Sequence, residues 1–447
     1  MKKAPSPIVS LIPIIVLVLL LFATIRTFGS DALSGGSQVS LLTTTAICIL
    51  IGMVFYKIPW KDYELAITNN IAGVATAIII LLIIGALSGI WMISGVVPTL
   101  IYYGMQIIHP SFFLASTCII CALISVMTGS SWTTIATIGI ALMGIGKAQG
   151  FEDGWIAGAI ISGAYFGDKI SPLSETTILA SSITDTPLFR HIRYMMITTV
   201  PSLVITLIIF TVAGFSHDAN NTQHIAEVAT ALNEKFHITP WLLIVPVATG
   251  ILIAKKVPSI VTLFLSTLLA AVFALIFQPD LLEEISGIAA SGFDSLFKGL
   301  MMTIYGETNL HTDNAVLTDL IATRGMSGMM NTIWLILCAM CFGGAMTASG
   351  MVGSITSIFV RFMKKTVSVV SATVCSGLFL NLTTADQYIS IILTGNMFRD
   401  IYAKKGYESC LLSRTTEDAV TVTSVLIPWN SCGMTQATIL SLSLIHI

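Results

Sequence analysis

Between Gly163 and Ser181 the chain reads GAYFGDKISPLSETTILAS. This is an apolar helix that acquires Asp168, Lys169, Ser171, Pro172, Ser174, Glu175, Thr176 and Thr177 where a membrane span would still be running. Ionisable groups at membrane depth are costly and face a protein or water-filled interior. Pro172 lacks a backbone donor, so the segment is expected to unwind and line a cavity. Its carboxylates, hydroxyls and freed carbonyls are hard oxygen donors of the kind that hold calcium and magnesium, a set suited to a hard cation. A carboxylate placed there can hold either a proton or a cation, and that competition is the simplest chemistry of exchange.

Composition shows what must position these groups. The 447 residues are 55% hydrophobic and 10% charged, with a mean hydropathy of +0.90. That is the profile of an all-α polytopic membrane protein, with the lipid bilayer as its surroundings. The net charge of −2 and the lack of a basic, aromatic-interleaved patch give no reason to expect nucleic acid. Cys118 with Cys121, and Cys338 with Cys341, are one helical turn apart but have no histidines beside them, so they read as small apolar residues rather than metal ligands.

Apolar runs of spanning length occur near 8–28, 39–56, 71–94, 194–214, 239–255, 258–277 and 328–349. Three further regions, 111–147, 154–183 and 366–428, are apolar but interrupted by polar clusters. Basic residues place Lys2, Lys3, Lys57, Lys61, Arg190, Arg193, Lys255 and Lys256 in cytoplasmic turns, with the N-terminus on that side. Residues 366–397 carry cations at both flanks. At about 48 Å that run is too long for one helix through a core about 30 Å thick. A re-entrant hairpin of two half-length helices resolves this, with its tip at Asn381–Gln387, NLTTADQ. A second hairpin, between Pro110 and Lys147, has its tip at MTGSSWTT, Met127–Thr134, and enters from the other side.

Two opposed hairpins suggest inverted repeats. An offset of 255 residues places Gly89 on Gly344, Ser94 and Gly95 on Ser349 and Gly350, and Thr128 on Thr383. Such weak symmetry is a mark of secondary transporters. Each tip is followed by a broken helix, 154–182 and 406–427, and a ten-residue gap would set Lys169 on Arg414. The expected plan is therefore ten to twelve membrane segments: N-terminal helices 1–70, a first repeat 71–214, connecting helices and loops 215–327, and a second repeat 328–447. The 278–327 loop reads as an external connection with an amphipathic helix around Ile285–Gly299. Its Glu307, His311, Asp313, Asp319 and Arg324 are taken as solvated rather than metal-binding.

GDKISPLSETT (Gly167–Thr177), with TGSSWTT (Thr128–Thr134) before it and SRTTEDAV (Ser413–Val420) after it, resembles the NhaC sodium/proton antiporter family over essentially the whole chain. The resemblance implies cation-coupled antiport in a bacterial-type inner membrane, with sodium and protons as partners. The family also includes exchangers that couple sodium or protons to malate and lactate, so exchange of small organic anions or amino acids is the alternative. Two departures are Glu175, where the family more often has Asp, and Ile178, where it commonly has Asn. The longer Glu175 side chain would shift the ion. Only Met434–Ile447 follow the second break, about 21 Å of helix, so the last span is expected to be truncated.

Asp168 is the first candidate for the shared proton and sodium group, Glu175 the second and Asp386 the third. Ser130, Ser131, Ser171, Ser174, Thr176 and Thr383 are candidate oxygen ligands, and Lys169, Arg414, Glu417 and Asp418 provide charge balance. Each has a plainer reading as a helix cap, an ion pair or a helix-to-helix hydrogen bond. A channel fits acids in broken helices less well than a carrier does. A hydrolase would need a nucleophile with a base or an HExxH motif, and neither is present. No cofactor is called for, and homodimerisation is left open.

Overall fold

The computed structural model describes residues 5–28, 35–216, 222–288, 290–308, 310, 312, 318, 321–361 and 365–442, and the secondary structure described is helical throughout. Among the described residues, eight helices are long and apolar enough to cross a membrane, and a ninth candidate is the pair Glu227–Lys235 and Pro240–Ala254, bent by 91°. All seven expected spans are among them. The other two are Pro110–Thr128 and Thr366–Thr384, the leading arms of the hairpins.

Those arms are longer than the half-length helices expected. Phe113–Thr128 and Thr366–Thr384 have 16 and 19 residues, and Gln387–Lys404 returns over 18. At 1.5 Å per residue each arm is about 24–28 Å, close to a full crossing. The polar tips are thus short breaks between two long helices. The connecting loop also departs from expectation. The amphipathic helix around Ile285–Gly299 is two helices, Pro279–Ser286 and Phe293–Tyr305, because Gly287 (φ 64°) ends the first in the left-handed conformation. Exposed Glu307 lies 3.9 Å from Arg324, while His311, Asp313 and Asp319 lie outside the described residues.

The chain forms two compact units. One comprises Ile79–Ser174, Ile197–Met330 and Gln436–Ile447; the other comprises Met1–Ile78, Glu175–Met196 and Asn331–Thr435. In the first, the Phe113–Thr128 arm lies along the Asp153–Ile170 helix. Glycine allows this, since a β-carbon on Gly163 would meet the Cys118 carbonyl, and one on Gly167 would fall 2.5 Å from the Ala122 carbonyl. Lipid tails are as apolar as leucine, so close contact of small residues, not hydrophobic burial, holds such a pair. In the second unit the helices Thr366–Thr384, Gln387–Lys404, Ser409–Ser424 and Glu175–Ile183 pack together, with Ala180, Ile391 and Val420 at their centre.

Candidate functional site

The first tip turns at Gly129, which caps its arm in the left-handed region (φ 66°). Ser130 then starts the returning helix by accepting the Thr133 amide at 3.2 Å. Thr128 ties the turn together. Its Oγ1 accepts from the Ser130 amide at 3.1 Å, and Thr134 Oγ1 donates to the Ser130 carbonyl at 2.9 Å. A short π-helical stretch, Ile135–Gly139, follows.

The second tip repeats this plan residue for residue. Ala385 takes the left-handed cap (φ 56°) and Asp386 is the N-cap, its Oδ1 accepting the Ile389 amide at 2.9 Å. Thr384 Oγ1 accepts from the Asp386 amide at 3.4 Å, and Ser390 Oγ donates to the Asp386 carbonyl at 2.7 Å. The partner of Thr128 is therefore Thr384, not Thr383. The offset is 255 at Gly95 and Gly350, both in the left-handed region, and 256 from the tips onward. Buried Thr383 instead turns its hydroxyl back to the Phe379 carbonyl at 2.9 Å.

The offset of 256 holds without a gap through the broken helices. Gly150 and Gly406 share the left-handed turn, Glu152 and Glu408 precede the helices Asp153–Ile170 and Ser409–Ser424, and Pro172 and Pro428 lie in the two breaks. Lys169 thus corresponds to Val425 and Arg414 to Gly158, which corrects the gapped pairing of Lys169 with Arg414. Ala385 carries a side chain where glycine is preferred, at about 1 kcal/mol. Ala385→Gly is expected to raise the melting temperature of the detergent-purified protein by about 2 °C, and a fall on thermal unfolding would contradict the shared tip geometry.

Register brings one polar pair together in each unit. Buried Asp168, in the last turn of its helix, accepts at Oδ2 from Ser131 Oγ at 2.7 Å and from the Ser131 amide at 3.3 Å. Its carboxylate thus meets the positive N-terminal end of the returning helix. In the other unit the matching positions are Ser424 and Gln387, and Ser424 Oγ donates to Gln387 Oε1 at 2.8 Å. An acid therefore stands at this crossing in one repeat and an amide in the other. Asp386 is committed to its tip, since its Oδ2 also accepts from Ser431 Oγ at 3.1 Å. Gln387, although inside the expected tip Asn381–Gln387, was not among the candidate site residues, and neither were Ser424 and Ser431; the Gly150–Gly406 and Pro172–Pro428 register would have found Gln387 and Ser424 as counterparts of Ser131 and Asp168.

The remaining candidates divide clearly. Ser171 Oγ donates to the Val126 carbonyl at 2.8 Å, and Ser174 and Thr176 are buried at the break. Lys169 is buried beside Asp168 in the sequence. Glu175 is exposed in the first turn of Glu175–Ile183, where Tyr388 Oη donates to its Oε2 at 3.0 Å. Arg414 lies 3.9 Å from Asp418 and over the Tyr194 ring at 5.2 Å, while Glu417 is fully buried.

A family model described as the Na+/H+ antiporter family matches residues 4–184 and 163–447. The Na+/H+ antiporter NhaC of Bacillus subtilis is 35% identical over 406 residues, 90% of this chain and 86% of its own. The malate-2H+/Na+-lactate antiporter of the same species is 36% identical over 408 residues, 91% of this chain and 84% of its own. The arginine/ornithine antiporter ArcD of Halobacterium salinarum is 31% identical over 443 residues, 98% and 87% of the two chains. By the family model across nearly its whole length and by relatives covering most of both chains, this multi-pass membrane protein belongs to the Na+/H+ antiporter family.

Proposed function

We propose that the protein exchanges cytoplasmic sodium for external protons by alternating access, with Asp168 as the group for which the two ions compete. The observation that carries this reading is the Asp168 carboxylate, 6% exposed at a helix break and met by the Ser131 hydroxyl and amide. Sodium would draw on Asp168 and Ser131 with oxygens from the Ser130 tip and the Ser171–Ser174 break. When a proton replaces it, the hydroxyl and amide of Ser131 remain to hold the neutral acid. Glu175 is the second acid of the reading, open at its surface and held by Tyr388.

Identity to the relatives does not choose the substrate, since 35% to a sodium/proton antiporter and 36% to a malate/lactate antiporter are equal for this purpose. What favours the inorganic cation is the oxygen-rich break itself, where the Asp168 carboxylate meets Ser131 and the Ser171 and Ser174 hydroxyls follow within six residues, a donor set suited to a small hard cation. In everted vesicles holding a preformed proton gradient, sodium alone is expected to dissipate the gradient. Dissipation that requires malate, lactate or arginine in addition would transfer the reading to organic exchange, and no response to sodium would refute it.

A further inference from the structure

We propose that the helix Ser409–Ser424 carries the proton route of this exchange, with Glu417 as its proton-binding station. Ser413, Glu417, Thr421 and Ser424 follow one another at spacings of four, four and three residues. They therefore share one side of the helix within about 80° and rise about 16 Å along it. All four are 0% exposed. At one end, Ser413 Oγ is 2.8 Å from Nδ1 of His191, itself fully buried; at the other, Ser424 donates to Gln387. Thr421 Oγ1, between them, is buried and has no hydrogen-bond partner among the described residues. The file thus runs imidazole, hydroxyl, carboxylate, hydroxyl, hydroxyl, amide, all inside one unit.

The other repeat serves as an internal control. At the offset of 256, Ser413, Glu417 and Thr421 correspond to Ala157, Ile161 and Tyr165. The same fold is built there with isoleucine at the position of Glu417, so the architecture does not require an acid at that point of the helix. A buried acid in a membrane helix is costly and is retained for function. Hydroxyls and imidazole pass a proton by accepting one and releasing another. A proton taken up by Glu417 from the His191 end leaves toward Thr421 and Ser424, with no change of oxidation state. Among the described residues, the titratable groups around this helix include Arg190, His191 and Tyr194 from the start of the Leu188 helix, Glu408 and Cys410 at its own first turn, Tyr402 from the returning arm, and Arg414 with Asp418 on the same helix.

This route rests on the sodium–proton reading above, and two readouts separate them. In proteoliposomes, sodium-driven internal pH change reports coupled exchange, whereas isotopic sodium–sodium counterflow needs no net proton movement. Glu417→Gln is expected to slow the first about tenfold or more while counterflow stays within about twofold of the unmodified protein. Glu417→Asp should recover part of the loss. Unchanged proton-coupled exchange in Glu417→Gln would overturn the route, as would counterflow falling in parallel. Unmodified protein that moves sodium without protons refutes the underlying reading before any variant is compared.

Discussion

Sodium-driven proton movement is expected to be lost in Asp168→Asn, by about 100-fold or more. Asparagine keeps the shape and can still accept from Ser131 Oγ, now 2.7 Å from Asp168 Oδ2. It cannot, however, take up and release a proton or neutralise a cation. Losing a charged ligand costs about 3 kcal/mol, which is about two powers of ten in an equilibrium constant. Unlike Glu417→Gln, Asp168→Asn should abolish sodium–sodium counterflow as well as proton coupling. Normal exchange by this variant in everted vesicles would remove Asp168 from the mechanism. Ser131→Ala tests the partner: it removes the hydroxyl but leaves the amide, so a weaker sodium response, by about tenfold, is expected.

Gly163→Val should give the largest loss of stability. Its first added carbon would meet the Cys118 carbonyl and come within 2.9 Å of Cys121 Cβ and 3.0 Å of the Ala122 nitrogen. Two of those three are backbone atoms that cannot rotate away, so the helices must part. Overpacking of a tight site costs about 3 kcal/mol and sometimes more. Asp168 lies five residues further along the same helix, so parting the pair also draws the carboxylate from Ser131. We expect a sharply lower melting temperature and little monodisperse protein on size-exclusion chromatography in detergent. Gly250→Ala, where a β-carbon meets nothing within 4 Å, is the matched control and should behave as the unmodified protein. A Gly163→Val protein that runs and melts normally would contradict the close packing of Phe113–Thr128 on Asp153–Ile170.

Much of this was already legible along the chain, and the reasons are local. Hydropathy marks spans because lipid offers the backbone no partner, so an apolar run of that length has few other fates. Polar residues inside such runs marked both tips and both breaks for the same reason: Met127–Thr134, Asn381–Gln387, Asp168–Thr177 and Ser413–Ser424 have no place on a lipid-facing helix. Proline at 172, set among polar residues, marks a break, whereas Pro13 and Pro201, set among apolar ones, lie inside continuous helices.

Pairing was not legible, because it depends on register between segments far apart in the chain. One residue gained between Gly350 and Thr384 moves the offset from 255 to 256, and a single-residue error on a helix rotates a side chain by about 100°. That was enough to put Thr383 in the place of Thr384. Without the correct register, the crossing of Asp168 with Ser131 and that of Ser424 with Gln387 could not be seen as one arrangement used twice. Burial was similarly hidden. Asp168 and Glu175 look alike as two acids seven residues apart, and Glu417 looks like one more member of a charged run. Packing puts Asp168 and Glu417 inside and leaves Glu175 at the surface. Composition and interruption thus settle the class of protein and the segments that matter, since both act within a few residues. Which acid is enclosed, and what faces it, follows from helices brought together across the chain.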